Sequence, residues 1–167
     1  VSKIITYGVI GCGMMGQEHL RNIALLEGAR VGAIFEPDAG MAAESLKFAP
    51  GAQLVDSVAE LLAVEDLDCI LIASPNYRHI EQLETLAASR PLPVLVEKPL
   101  FTDPDHVARL DAFCAQYPAP VWVAMEYRYM PPVATLLRDA EAATGGIRML
   151  TIREHRFPFL EKVGDWN

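Results

Sequence analysis

Cysteine is scarce in this chain of 167 residues, with Cys12, Cys69 and Cys114 the only three. Their odd number excludes a complete set of disulfides, and their wide spacing contains no CxxC or Cys/His pattern of the kind that holds zinc. Each lies within an apolar segment. We therefore expect reduced, mostly buried thiols in a cytoplasmic protein, and no metal site.

Basic residues and long apolar runs are also few. The chain has 14 Lys and Arg against 22 Asp and Glu, a formal net charge of −8. Nucleic-acid binding requires a basic face, so we expect no nucleic-acid partner. No apolar run approaches the roughly 20 residues that span a bilayer, and the first residues do not have the layout of a signal peptide. We therefore expect no membrane association.

Short apolar runs alternate with longer segments of helical period. Strands are predicted over residues 4–10, 31–35, 53–55, 69–73, 94–97 and 121–125. Helices are predicted over residues 14–26, 39–48, 58–64, 77–89 and 104–117. Strands that alternate with helices are typical of βαβ units. The pattern predicts an α/β protein with a Rossmann-type, doubly wound parallel sheet.

Capping residues support these helix positions. Ser57 and Glu60 have the spacing of a capping box, and Asp103 followed by Pro104 is typical of an N-cap and first helical residue. A further helix is predicted over residues 133–143, ended by Gly145, and a long strand over residues 147–157. One strand and a short tail cannot form a domain alone. We therefore expect the chain to be the N-terminal part of a longer protein.

A GxGxxG motif directly follows the first predicted strand and opens the first predicted helix. Its residues are Gly11, Cys12, Gly13, Met14, Met15 and Gly16. In such a motif the first glycine permits a tight turn, the second lets the backbone approach a pyrophosphate, and the third lets the helix pack closely on the strand. Helix N-terminal N–H groups then face the phosphates. The motif predicts a dinucleotide site.

Glu36 ends the second predicted strand, about 20 positions after Gly16, where an acidic side chain accepts hydrogen bonds from the adenosine ribose. A 2′-phosphate there would meet a carboxylate, and two unit charges about 4 Å apart repel by about 4 kcal/mol at an effective dielectric near 20. The next residue is Pro37, and no arginine follows at once. The sequence predicts NAD, with NADP less favoured.

Polar residues also follow the fourth and fifth predicted strands. After the fourth come Ser74, Pro75, Asn76 and His79, and after the fifth come Glu97, Lys98 and Pro99. Ligands of open α/β sheets bind outside the carboxyl ends of the strands, so we expect both groups to border the crevice. Asn76 is expected to cap the following helix. His19, in the first helix, is expected to be a packing residue.

Taken in order, these segments resemble the Gfo/Idh/MocA family of oxidoreductases, which are related to glucose-fructose oxidoreductase and inositol 2-dehydrogenase. The similar segments are GCGMMG at 11–16, Glu36, SPNYRH at 74–79, EKP at 97–99 and RYMP at 128–131. The resemblance implies an NAD(P)-binding Rossmann domain over residues 1–128. Residues 129–167 would then begin an α+β open-sheet domain for substrate binding and homo-oligomer formation.

The resemblance also implies an activity: hydride transfer between a nicotinamide and a hydroxyl or keto carbon of a sugar, cyclitol or related polyol. Lys98 would be the catalytic residue that exchanges a proton with the substrate oxygen, and Glu97 would lie by the nicotinamide ribose. Arg128 would orient a polar substrate or brace the domain junction, and Trp166 would help close the cofactor cleft. The expected cofactor-binding residues are Gly11, Cys12, Gly13, Met14, Met15, Gly16, Glu36, Pro37, Ser74, Pro75, Asn76, His79, Glu97, Lys98, Pro99, Arg128 and Trp166.

In one respect the chain departs from the family pattern. The family's downstream Asp and His have no match here, and neither His106 nor His155 takes that place. We therefore expect this chain to bind the cofactor with little or no turnover, while the full-length protein is an enzyme. Two alternatives remain: a non-catalytic NAD-binding sensor or scaffold, and an S-adenosylmethionine-dependent methyltransferase, which does not need Glu97-Lys98-Pro99.

Overall fold

The computed structural model describes residues 3–146, together with residues 149, 151 and 153. In this part of the chain strands and helices alternate. The strands are β1 (Ile5–Ile10), β2 (Ala29–Phe35), β3 (Gln53–Val55), β4 (Cys69–Ile72), β5 (Val94–Val96) and β6 (Val121–Val123). The helices are α1 (Met14–Ala24), α2 (Ala39–Ser45), α3 (Val58–Ala63), α4 (His79–Ala88), α5 (Val107–Gln116) and α6 (Pro131–Thr144). Three 3₁₀ turns cover Asn76–Arg78, Pro104–His106 and Glu126–Tyr129.

The strands form one parallel sheet in the order β3-β2-β1-β4-β5-β6. This order reverses between β1 and β4, where doubly wound sheets open a crevice for a ligand. The predicted Rossmann-type fold is therefore confirmed. The ends of β1, β2, β4 and β5 deliver their following loops to the same edge of the sheet.

Two apolar clusters cover the two faces of this sheet. Neighbouring residues of β1 point to opposite faces, so Val9 packs with Leu20 of α1 whereas Ile10 packs with Leu83 of α4. These four side chains are fully buried, and each contributes about 1.5–3 kcal/mol relative to exposure. The sheet edge that carries the loops is thus held rigidly from both sides.

The chain divides into two compact units, Val1–Ala124 and Met125–Asn167. The sheet with α1–α5 belongs to the first unit, and the turn Glu126–Tyr129 with α6 belongs to the second. The predicted boundary lies after residue 128, and a second domain over residues 129–167 remains a prediction. The predicted strand over residues 147–157 lies outside the described residues, apart from residues 149, 151 and 153.

Several local predictions are confirmed. Ser57 accepts a hydrogen bond from Glu60 N (3.1 Å), and Asp103 caps the turn that begins with Pro104. Helix α6 ends at Thr144 before glycines of positive φ.

Two other local predictions are wrong. Asn76 does not cap a helix; it begins a 3₁₀ turn whose N-cap is Pro75, and the N-cap of α4 is Arg78. Cys114 is exposed, whereas Cys12 is buried and Cys69 is half-buried. Helix α5 turns Phe113 to the core, and an adjacent residue on a helix points about 100° away. Burial raises the pKa of Cys12 and of Cys69 to about 11.

Among the described residues, no helix combines the length and the apolar character needed to cross a bilayer.

Candidate dinucleotide site

The glycine loop between β1 and α1 is shaped by close backbone contacts. Gly11 has a φ of +87°, and a Cβ there would lie 2.5 Å from the backbone of Ser74. A Cβ on Gly16 would lie 2.2 Å from the carbonyl oxygen of Gly11. Both positions therefore require glycine: Gly11 for its left-handed backbone and for its approach to β4, and Gly16 for the packing of α1 on the loop.

Gly13 is different, because a Cβ at this position would meet nothing within 4 Å. Its φ of −63° is open to any residue, so neither backbone conformation nor packing requires a glycine here. The residue is the N-cap of α1, where N–H groups have no partner within the helix. Space without a side chain at a helix N-terminus fits a pyrophosphate.

The carboxylate of Glu36 joins the end of β2 to the glycine loop. Its Oε2 accepts a hydrogen bond from Cys12 N (2.6 Å), and its Oε1 accepts one from Asp38 N (2.9 Å). Gly11 N also donates to the carbonyl of Phe35 (2.9 Å), the last residue of β2. Glu36 is half-buried and Pro37 is exposed. The acid therefore has a fixed position beside the loop, as adenosine ribose recognition requires.

Ser74 follows β4 and turns its hydroxyl into the protein, where it donates to Oε1 of Gln82 (2.6 Å). Its backbone lies against Gly11. Pro75 and Asn76 are half-buried in the same loop. The segment thus lies directly beside the first glycine, at the point where the strand order reverses.

The ring of His79 is fully buried. Its Nδ1 lies 3.0 Å from the carbonyl oxygen of Pro99, and its Nε2 lies 3.0 Å from that of Ser74. Burial lowers the pKa of His79, against the opposing effects of the two carbonyls and of Glu97. The expected direct contact with the cofactor needs correction, because both ring nitrogens are directed at the protein backbone.

Glu97, just after β5, is buried with 6% of its surface exposed. Its Oε1 accepts a hydrogen bond from His19 Nε2 (2.7 Å), and its Oε2 accepts one from the N–H of Lys98 (3.2 Å). Burial by itself raises the pKa of the Glu97 carboxyl, but the hydrogen bonds and charges of His19 and Lys98 outweigh it, and the pKa lies below its usual value.

His19 therefore belongs to the site, although it was expected from the sequence to be a packing residue. The available sequence signal was its position three residues after Gly16, because residues three apart on a helix share a face. That face packs on the glycine loop. The sequence did not indicate that α1 contacts the end of β5.

Lys98 and Pro99 complete the loop after β5, and both are exposed. The peptide bond between them is cis. No hydrogen bond or ion pair engages the Lys98 ammonium within the described part of the chain. The amine is thus presented to solvent at the carboxyl edge of the sheet, on a backbone segment held by Glu97 and His79.

The remaining candidates belong to the second unit or lie outside the described residues. Arg128 is in the turn Glu126–Tyr129, with its guanidinium carbon 5.8 Å from the ring centroid of Tyr129. Trp166 and His155 are not among the described residues. In the part that is described, no cluster of three or more His, Cys, Asp or Glu residues has the arrangement of a metal site.

The sequence of this chain matches a known protein family. Residues 5–125 match the family model GFO_IDH_MocA, described as an oxidoreductase family with an NAD-binding Rossmann fold. The chain belongs to the Gfo/Idh/MocA family. The resemblance inferred from the motifs is thereby confirmed, and the matched residues contain every loop of the first unit discussed above.

Curated relatives of this chain include inositol dehydrogenases. Inositol 2-dehydrogenase of Corynebacterium glutamicum (strain R) is 33% identical over 160 residues, which are 95% of this chain and 47% of that protein. Inositol 2-dehydrogenase of Leifsonia xyli subsp. xyli is 40% identical over 104 residues, 62% of this chain and 30% of that protein. The chain thus spans less than half the length of these relatives.

Solved structures share this fold. Myo-inositol dehydrogenase from Lactobacillus casei, in complex with NAD(H) and myo-inositol, matches with a TM-score of 0.77 and 23% identity over 86% of this chain and 43% of that one. An oxidoreductase from Agrobacterium radiobacter, in complex with NAD+, L-tartaric acid and magnesium, has a TM-score of 0.78 and 20% identity over 87% of this chain and 42% of that one.

The depressed pKa of His79 predicts an acid-sensitive stability. An unfolded histidine has a pKa of about 6.5, so below that pH the unfolded state takes up a proton that folded His79 resists, and the free energy of unfolding falls. When the pH falls from about 7.5 to about 5.5, the free energy of unfolding measured in urea should decrease in both proteins. The decrease should be up to about 1 kcal/mol larger in the wild type than in His79→Gln. This range lies above the titration of Glu97. His106→Gln should keep the wild-type dependence, and equal slopes for wild type and His79→Gln would contradict the prediction.

Proposed function

We propose that this chain is the NAD-binding part of an oxidoreductase that transfers a hydride between nicotinamide and a hydroxyl or keto carbon of a cyclitol, sugar or related polyol. The observation that carries the proposal is the pairing of an open helix N-terminus at Gly13 with the carboxylate of Glu36, which is fixed beside it by Cys12 N. A pyrophosphate and an adenosine ribose require these two features side by side.

In this proposal each loop of the sheet edge holds one part of the dinucleotide. The glycine loop, residues 11–16, holds the pyrophosphate, and Glu36 with Pro37 holds the adenosine ribose. The segments Ser74–Asn76 and Glu97–Pro99 border the nicotinamide end. Bound NAD would supply the hydride acceptor there, or NADH the donor.

Lys98 is the proposed catalytic residue. Its exposed amine follows β5 at the carboxyl edge of the sheet, where a substrate oxygen beside the nicotinamide would lie. An uncharged amine would accept the proton that leaves a hydroxyl during oxidation, and an ammonium would return a proton during reduction of a keto group.

The substrate class is proposed from the relatives, which are inositol dehydrogenases. Residues 129–167 would begin a substrate and oligomerisation domain in a cytoplasmic protein. Arg128 and Trp166 remain proposed cofactor-binding residues. Since the chain spans about half the length of its relatives, we infer that further catalytic groups belong to the rest of the whole protein.

One observation favours a second candidate, a non-catalytic NAD-binding sensor or scaffold. Within the described residues nothing orients the Lys98 ammonium, whereas an active general base is normally oriented by a hydrogen-bonded neighbour. Binding of NAD alone is therefore compatible with either function, and turnover by the whole protein separates them.

The carboxylate of Glu36 predicts a preference for NADH over NADPH. Titration of the chain followed by cofactor fluorescence should give at least about tenfold tighter binding of NADH, because screening reduces a like-charge repulsion of about 4 kcal/mol without abolishing it. Glu36→Gln should narrow this gap by improving NADPH binding. Glu44→Gln, which removes a half-buried carboxylate paired with Lys47, is the matched control and should change neither affinity. Equal affinities of the wild type for both cofactors would contradict the assignment of Glu36.

The open space at Gly13 predicts that a larger residue there weakens NADH binding with little loss of stability. Gly13→Ala should lower the free energy of unfolding by no more than about 1 kcal/mol, since alanine is a poorer N-cap than glycine, but should weaken NADH binding at least about tenfold, because its methyl group would occupy the proposed phosphate position. Gly16→Ala should instead lower the free energy of unfolding by about 3 kcal/mol, since its methyl group overlaps a carbonyl. Unchanged NADH binding in Gly13→Ala would place the phosphates elsewhere.

For residues 1–167 alone we predict binding without turnover. With NAD and myo-inositol, the absorbance of NADH should not rise, because none of the described residues orients the Lys98 amine. The same assay on the whole protein should show steady NADH formation that Lys98→Ala abolishes. Steady turnover by the isolated chain would overturn this prediction, and inactivity of the whole protein toward a panel of polyols would favour the sensor.

A further inference from the structure

His79 connects two loops that are far apart in sequence. Its Nε2 faces the carbonyl of Ser74 in the loop after β4, and its Nδ1 faces the carbonyl of Pro99 in the loop after β5, both at 3.0 Å. The ring is fully buried between them. A carbonyl oxygen only accepts, so each contact is a hydrogen bond only when the facing nitrogen carries a proton.

A neutral ring has one proton for these two acceptors. Burial favours the neutral form and lowers the pKa of His79. The position of the proton therefore decides which loop is bonded. A proton on Nδ1 binds the ring to Pro99, twenty residues along the chain, whereas a proton on Nε2 only closes a local turn onto Ser74.

The bond to Pro99 has a particular consequence for Lys98. On one side of this residue its backbone N–H is held by the buried carboxylate of Glu97 (3.2 Å). On the other side the carbonyl of Pro99 faces His79. The backbone of Lys98 is thus held between two buried side chains, while its own side chain is exposed. The position of this backbone therefore determines the point from which the Lys98 side chain extends.

We propose that His79 is a positioning residue: by donating from Nδ1 to the carbonyl of Pro99, it fixes the Glu97–Pro99 segment against the Ser74 loop and sets where the Lys98 amine meets the nicotinamide end of the cofactor. The inference rests on the proposed function and deepens it, since His79 acts through these two loops and does not touch the cofactor. A histidine that merely fills the core would not depend on which nitrogen donates.

Two substitutions separate the two ring nitrogens. The amide nitrogen of asparagine is two bonds from Cβ, as is Nδ1, and that of glutamine is three bonds from Cβ, as is Nε2. His79→Asn thus retains a donor toward Pro99, and His79→Gln retains one toward Ser74. Both lose the ring, so both should lower the urea midpoint by similar amounts. His106→Asn and His106→Gln, at a half-buried histidine in the turn before α5, are the matched controls.

The experiment titrates each variant with NADH by fluorescence and records urea unfolding and ¹H–¹⁵N spectra without cofactor. His79→Gln should bind NADH about tenfold more weakly, the effect of one lost buried hydrogen bond, and His79→Asn should stay within about threefold of wild type. The Leu100 amide, which follows the Pro99 carbonyl, should shift in His79→Gln and much less in His79→Asn. Equal NADH binding in both variants and wild type, or losses that follow stability alone, would overturn the proposal.

Two further measurements apply if the wild type does not bind NADH or if a variant does not fold. If the wild type does not bind NADH, the proposed function fails, and the Leu100 shifts decide only whether His79 fixes the Glu97–Pro99 segment: a difference between the two variants supports that contact, and no difference overturns it. If a variant does not fold, the ring ¹⁵N shifts of wild-type His79 decide. A proton on Nδ1 at neutral pH supports the inference, and an unprotonated Nδ1 overturns it.

Discussion

The site depends on how closely α1 lies to the end of β1. This approach requires Gly16, whose missing side chain leaves room for the carbonyl of Gly11. Once α1 is seated there, its N-terminus is directed along the sheet edge, and His19 is carried to the buried carboxylate after β5. One steric condition in the glycine loop therefore places both an anion-binding helix end and a partner for Glu97.

From there a continuous set of contacts connects four strand ends. Glu36 bonds the glycine loop from β2, and His19 bonds Glu97 after β5. His79 then faces the loops after β5 and β4, and Ser74 lies against Gly11. Because each contact fixes one loop relative to the next, the edge acts as a single preorganised surface. Such rigidity is what a binding site needs if ligand binding is not to cost loop ordering.

The sequence was sufficient for the fold and for the local parts of the site. Strand–helix alternation, the spacing of the glycine motif and Glu36 are features of neighbouring residues, and they predicted the sheet and the dinucleotide edge. The role of His19 could not be predicted in this way, because it depends on the packing of α1 against a strand end 78 residues away in sequence. His79 shows the same limit: its position beside the crevice was predictable, but the burial that directs both nitrogens at carbonyls arises only from tertiary packing.

The burial of Glu97 and His79 also has an evolutionary consequence. Both residues belong to the protein interior as well as to the sheet edge, so a substitution at either would alter folding and chemistry together. Pro37, by contrast, is exposed, and Glu36 is only half-buried. Under the proposed function, selection can retune Glu36 and Pro37 by single steps that folding tolerates, whereas change at Glu97 or His79 must come through compensated pairs of substitutions.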